Sequence, residues 1–254
     1  MSQRIDTRRV RWPEERRFHV AFILVILGAV FLGFSRTFFL RPWFREWADV
    51  HGASEPLFYF HGAVFATWFV LLLAQSSLVA AGRVDLHRRL GQLGAGLAVV
   101  MVVLGITGGL VAARRPTGFI DVSLPPLQFL VVPFVSIAQF GVFVALALVK
   151  RRSVQSHKRY MLLASISLIG AAVTRWPFAV MAAESPVPGF SITDLFGDLF
   201  LVPMVVWDFA SRGRVHPVTL WGGLALIALQ PLSFMLSRTD AWLAFAGWAV
   251  SLLG

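Results

Sequence analysis

Three short basic segments of the chain each carry an imidazole beside cations: VDLHRRLG with His87, QSHKRYM with His157, and DFASRGRVHPV with Asp208 and His216. All three stand at the edge of an apolar run, and the chain's alternating path puts them on one side. Two imidazoles at one membrane depth on facing helices are what a b-type haem needs for bis-histidine ligation, and His87 and His157 begin two such helices. Neutral imidazole equally suits zinc or copper, with His216, Asp85 or Asp208 completing a shell. The same composition describes an ordinary membrane boundary, where Arg and Lys reach lipid phosphates and a nearby histidine titrates in water. On the helix that His87 begins, Gly91, Gly94, Ala98 and Gly105 share its face. Such a stripe lets a neighbouring helix or a flat cofactor approach the backbone closely.

A second group of polar residues belongs to the opposite side. Arg175 lies eighteen residues after His157, five helical turns and about 27 Å along one face. An intramembrane charge is costly and normally faces the interior beside a counter-ion. The segment TDLFGD supplies Asp194 and Asp198 one turn apart, and Asp198 falls at about the depth of Arg175. An Arg175–Asp198 pair is therefore expected, either fixing helix register or recognising a small anionic or lipid-like ligand. His61, in LFYFHGAVF, lies at a similar depth with Gln128 and Gln230, and together they would line a polar pocket in the outer leaflet.

The elements that must position these groups are membrane helices. With 57% hydrophobic and 14% charged residues in 254, and a mean hydropathy of +0.73, the chain is too apolar for a water-soluble domain of this size. Runs near the length that spans a ~30 Å hydrocarbon core occur at about 19–39, 57–81, 91–113, 127–149, 160–182, 193–210 and 218–236. This predicts an all-α polytopic transmembrane bundle of seven helices, with 242–253 as a short eighth candidate. The first run follows RRVRWPEERR and lacks a small-residue cleavage site, which reads as a retained helix. Residues 1–18 form a basic arm, and 19–254 a single transmembrane domain.

With the arm in the cytoplasm, sixteen Lys and Arg fall on the inner side and six on the outer, with Arg175 inside a span. That bias sets the N-terminus inside. It also accounts for the net charge of +10 without nucleic acid, since no element is left to enter a groove. The basic loops would instead meet anionic lipid headgroups at the inner face. Trp12, Trp43, Trp47, Trp221 and Trp242 lie near run boundaries, as aromatic belts do. The chain has no cysteine, which excludes disulfides, thiolate metal sites and catalytic thiols.

Through GRVDLHRRLGQLG, HKRYMLLASISLIGAAVTRWP and DFASRGRVHPVTLWGG, the chain resembles a group of bacterial multi-spanning inner-membrane proteins of unknown function. The resemblance covers about Phe58 to the C-terminus and implies seven or eight helices in the bacterial inner membrane. The chain is also similar, more weakly, to ascorbate-reducible dihaem b cytochromes, whose four consecutive helices carry haem-ligating histidines in two same-side pairs. That similarity implies haem b on His87 and His157. The fourth run has Gln128 and Gln139 but no histidine to pair with His61, so the second haem pair is incomplete.

Three functions follow as expectations. The first is a redox protein passing electrons through a b-haem on His87 and His157. The second is a binding or transport protein using the outer Arg175, Asp198 and His61. The third is an accessory or scaffold subunit of a larger membrane complex. Hydrolase chemistry has no motif here: there is no Gly-x-Ser-x-Gly elbow, His-Glu-x-x-His pair or Walker loop.

Overall fold

A computed structural model describes residues 12–46, 56–119, 122 and 124–253. The first eleven residues of the basic arm and Trp47 lie outside the described residues. Among those described, the fold is all helical, with eight helices of eight residues or more: α1 (Trp12–Phe34), α2 (Pro56–Ala80), α3 (Val84–Arg114), α4 (Val131–Val149), α5 (Val154–Ile166), α6 (Val202–Arg212), α7 (Pro217–Leu236) and α8 (Asp240–Ser251). Five segments are long and apolar enough to cross a membrane: Glu14–Phe39, Pro56–Ala80, Val84–Arg114, Pro126–Val149 and Pro217–Leu236.

The core is shared by α1 to α7. Ile26 of α1, Met101 of α3, Phe140 of α4 and Leu163 of α5 are each fully enclosed. Trp68 of α2 meets Phe140 edge-on at 4.9 Å and donates its indole N–H to Ser165 Oγ of α5 at 3.1 Å. A second, smaller core holds Trp242 and Ala246 of α8 against Leu130 and Val131. There Trp242 donates to the Leu127 carbonyl at 2.8 Å. The short final run is thus a docked helix, and twelve residues reach only about 18 Å, less than a hydrocarbon core.

The expected fifth and sixth runs are broken. The fifth, read at 160–182, begins earlier, at Val154. It loosens after Ile166, where Leu168 and Ile169 bond three residues back rather than four. Ser165 and Ser167 turn their hydroxyls onto the carbonyls of Met161 and Ala164, so the side chains compete with the helical ladder. One further turn, Gly170–Val173, follows, and Pro177 bars continuation. The sixth consists of Ile192–Asp198, a tight turn Leu199–Leu201, and α6 with Pro203 in its first turn. Local signals set the remaining ends. Gly213 takes the left-handed conformation (φ 71°) that closes α6, and Pro217 opens α7 behind His216.

His87 and His157 both lie deeper in helices than their runs implied. α3 starts at Val84 and α5 at Val154, so His87 and His157 each occupy the first turn of a helix.

Close helix contacts rest on absent side chains. A Cβ on Gly33 of α1 would strike the Ala172 backbone, whereas one on Gly28 would meet open space. Gly28→Ala should therefore raise stability by about 0.5–1 kcal/mol through helix propensity, and Gly33→Ala should lower it by about 1–3 kcal/mol through overpacking. Melting curves of the two variants in one detergent check this opposition of sign.

A polar cluster at the basic face

The helix α5 begins Val-Gln-Ser-His-Lys-Arg, and successive residues on a helix point about 100° apart. His157, Lys158 and Arg159 therefore face three different neighbours. Each is held by a different element.

Arg159 looks toward α6 and α7. It is 3% exposed and Asp208 of α6 is 1% exposed. Arg159 Nε donates to Asp208 Oδ1 at 3.0 Å and to Oδ2 at 3.3 Å, and Nη2 donates to Oδ1 as well. Nη1 donates to the Gln155 carbonyl at 2.8 Å and to Gln155 Oε1 at 2.6 Å, one turn back on α5. Asp208 Oδ2 also accepts from Thr219 Oγ1 of α7 at 2.6 Å and from the His216 backbone N–H at 3.1 Å. Both charges are thus paired and hydrogen-bonded, the condition under which buried ions are tolerated.

Lys158 looks toward α1 and pairs with Glu15, which also accepts from Gln155 Nε2 at 3.2 Å. His19, one turn further along α1, donates from Nδ1 to the Glu15 carbonyl at 2.8 Å. Phe18 stacks on Trp207 of α6 at 4.4 Å, so α1 is tied to α5 by charge and to α6 by rings.

His157 looks the other way. Its Nδ1 donates to the Ala147 carbonyl in the last turn of α4 at 2.9 Å, and its ring centre lies 6.3 Å from that of His87 on α3, with the planes at 88°. Behind His87 stands Gln75 of α2. The amide orientation that satisfies its surroundings donates from Nε2 to His87 Nδ1 at 2.5 Å and to the His87 carbonyl at 3.1 Å, while Oε1 accepts from Gly91 N–H at 2.8 Å. Each imidazole is therefore fixed through Nδ1. His157 Nε2 makes no hydrogen bond among the described residues, and the Gln75 backbone carbonyl also lies within bonding reach of the His87 ring.

The other expected metal ligands are engaged elsewhere. Asp208 is saturated by Arg159, Thr219 and His216 N–H, and His216 spends Nδ1 on the Val218 N–H at 3.1 Å, capping α7. Asp85 lies near exposed Arg83 at 3.9 Å. No group of three or more His, Asp or Glu able to hold a metal occurs among the described residues. The shell expected from His216 and Asp208 does not form, because the arginine reaches that carboxylate first. The glycine stripe is also filled. A Cβ on Gly94 would lie 3.1 Å from Leu71, and one on Gly105 would lie 2.7 Å from Ile137, so the stripe admits helices rather than a flat cofactor.

At the opposite face the expected Arg175–Asp198 pair is not made. Asp198 accepts from Gln230 Nε2 of α7 at 2.9 Å. Arg175, beyond the loosened turns of the fifth run, donates to the Ala171 carbonyl at 2.6 Å and lies 5.2 Å over the Phe34 ring. Asp194 caps its own short helix in a reciprocal box with Ser191. His61 stacks on Phe65 at 4.0 Å and touches the space beside Gly108. The two carboxylates of the expected outer pocket are thus engaged by Ser191 and Gln230 rather than by Arg175.

The sequence reading missed Glu15, Gln75, Gln155, Lys158, Arg159 and Thr219. The legible signals were the lone amide in LLLAQSSLVA and the Gln155–Arg159 spacing of one turn. No known protein family, curated protein or solved structure matches the chain.

Two predictions follow from this cluster. Asp208→Asn leaves the buried guanidinium uncompensated and should cost about 3–5 kcal/mol, whereas Arg159→Met with Asp208→Leu should regain most of that loss; paired thermal melts measure both. Burial and the nearby Arg159 guanidinium hold the His216 imidazole down to about 4, below its ordinary value, so the folded state binds fewer protons than the unfolded one. Stability should accordingly be full near neutrality and fall as pH drops from about 6.5 toward 4. In His216→Asn, which retains a capping oxygen, that acid-side fall should be smaller.

Proposed function

We propose that this is a multi-pass bacterial inner-membrane protein, N-terminus in the cytoplasm, that binds cuprous copper at its inner face through His87 Nε2 and His157 Nε2. The observation that carries the reading is the imidazole pair: ring centres 6.3 Å apart, with His157 Nδ1 donating to the Ala147 carbonyl and His87 Nδ1 accepting from Gln75. Two metal–imidazole bonds of about 2 Å on opposite sides of one ion, plus the half-width of each ring, need about 6 Å between ring centres. A ring N–H donated from behind to an oxygen, as His157 Nδ1 donates to the Ala147 carbonyl, is the usual support of a metal-bound histidine.

Two protein ligands restrict the ion. Zinc and cupric copper call for about four ligands in tetrahedral or tetragonal arrangement, and no third His, Asp or Glu stands near among the described residues. Cuprous copper is satisfied by two neutral nitrogens in line. Such a site disfavours oxidation to the cupric state, so its task is to hold and pass on the ion rather than to transfer electrons. The basic loops around it, rich in Arg and Lys, would rest on anionic headgroups.

A second reading, an iron porphyrin between the same imidazoles, is favoured by the same separation and by the position of both histidines within a helical turn. The filled glycine stripe speaks against it. Purified protein titrated anaerobically with cuprous ion should bind one equivalent, lost in His87→Ala and in His157→Ala and kept in His216→Ala. A Soret band with bound iron would replace this reading with the haem one. Failure to bind either would overturn both.

A further inference from the structure

Gln75 does more than pack against α3. Its amide bridges the His87 carbonyl and the Gly91 N–H, the two ends of one helical hydrogen bond, and reaches His87 Nδ1 from the same position. Gly91 leaves that stretch of backbone open, since a Cβ there would sit 3.6 Å from the end of the Gln75 amide. Three contacts fix the amide's direction: a carbonyl that must accept, an N–H that must donate, and a ring nitrogen beside the carbonyl. The backbone partners cannot change roles. They force Nε2 of Gln75 toward the ring, and an N–H facing Nδ1 requires a lone pair there.

We infer that Gln75 is a positioning residue that sets opposite tautomers in the two histidines: His87 carries its proton on Nε2, while His157, donating from Nδ1 to the Ala147 carbonyl, carries it on Nδ1. The pair therefore carries an N–H at His87 Nε2 and a lone pair at His157 Nε2. It is polarised, although the two residues are chemically the same.

The consequence for metal binding rests on the copper reading above. An ion held by both Nε2 atoms needs a lone pair on each. The His87 proton must leave Nε2 as Nδ1 gains one, with no net proton released, and the Gln75 amide must turn its oxygen to the new N–H against both backbone partners. Gln75 thus opposes loading, and a residue that accepts at this position should favour it. Glu supplies such an oxygen and can still accept from Gly91 N–H.

The test is nitrogen NMR of the full-length protein labelled with ¹⁵N-histidine in detergent micelles, with His87→Gln and His157→Gln spectra for assignment. In the wild type, His87 should show a protonated Nε2 and an unprotonated Nδ1, and His157 the reverse. In Gln75→Glu, His87 should switch to a protonated Nδ1 while His157 stays unchanged, and cuprous affinity measured by chelator competition should rise about tenfold to a hundredfold. The tautomers are read in the wild type, and the two histidine variants serve only to assign its signals. A wild-type His87 protonated on Nδ1 overturns the inference, as does the same His87 tautomer in both proteins. Opposed tautomers in a wild type that binds no copper would uphold the role of Gln75 and remove the copper reading alone.

Discussion

Arg159 is a guanidinium almost without access to water, and the fold is arranged around keeping it paired. Removing such an ion from water costs several kcal/mol even after relaxation. Asp208, Thr219 and Gln155 offset that cost together, and they come from α6, α7 and α5. One side chain therefore fixes the rotation of α5 about its own axis relative to two other helices. Once that rotation is set, the directions of Lys158 and His157 follow from 100° per residue. Lys158 meets Glu15 of α1, and His157 meets the end of α4 and the face of α3. The His-Lys-Arg triplet is a hub with three spokes, and the imidazole pair exists because the arginine cannot turn.

The broken fifth and sixth segments belong to the same logic. Pro177 bars a straight helix from Val154 through to Ala182. The serine-loosened turns after Ile166 instead bring Ala172 against Gly33 and place the Trp176 indole N–H on the Ala29 carbonyl at 3.1 Å. The strong anchor lies at the basic end of α5, and the irregular backbone lies away from it. Ser165 spans the transition, bonded back to Met161 and receiving Trp68.

The hydropathy pattern was sufficient for the class of fold and for five of the spans, because length and apolarity alone determine what can cross a bilayer. It was insufficient at the two interrupted segments, where serine hydroxyls and Pro177 and Pro203 decide the backbone at a scale below a hydropathy window. The site was partly legible. His87 and His157 could be placed at one depth from their positions at the starts of two runs, and the structure brings them together. Arg159 was read as a boundary cation because composition cannot distinguish a charge that reaches outward from one that turns inward, and that depends on where Asp208 lies. The Arg175–Asp198 expectation failed for a related reason: equal depth does not imply a shared azimuth, and Gln230 had the closer approach to Asp198.

The central claim is that His87 and His157 alone form a two-coordinate site for a univalent soft ion. X-ray absorption at the copper K edge of the cuprous-loaded protein tests it most directly, because the edge shape and first shell report coordination number without a crystal. The account predicts a two-coordinate cuprous edge with two imidazole nitrogens and no third protein ligand. A first shell of three or four ligands, or a cupric edge that persists under reducing conditions, would contradict it.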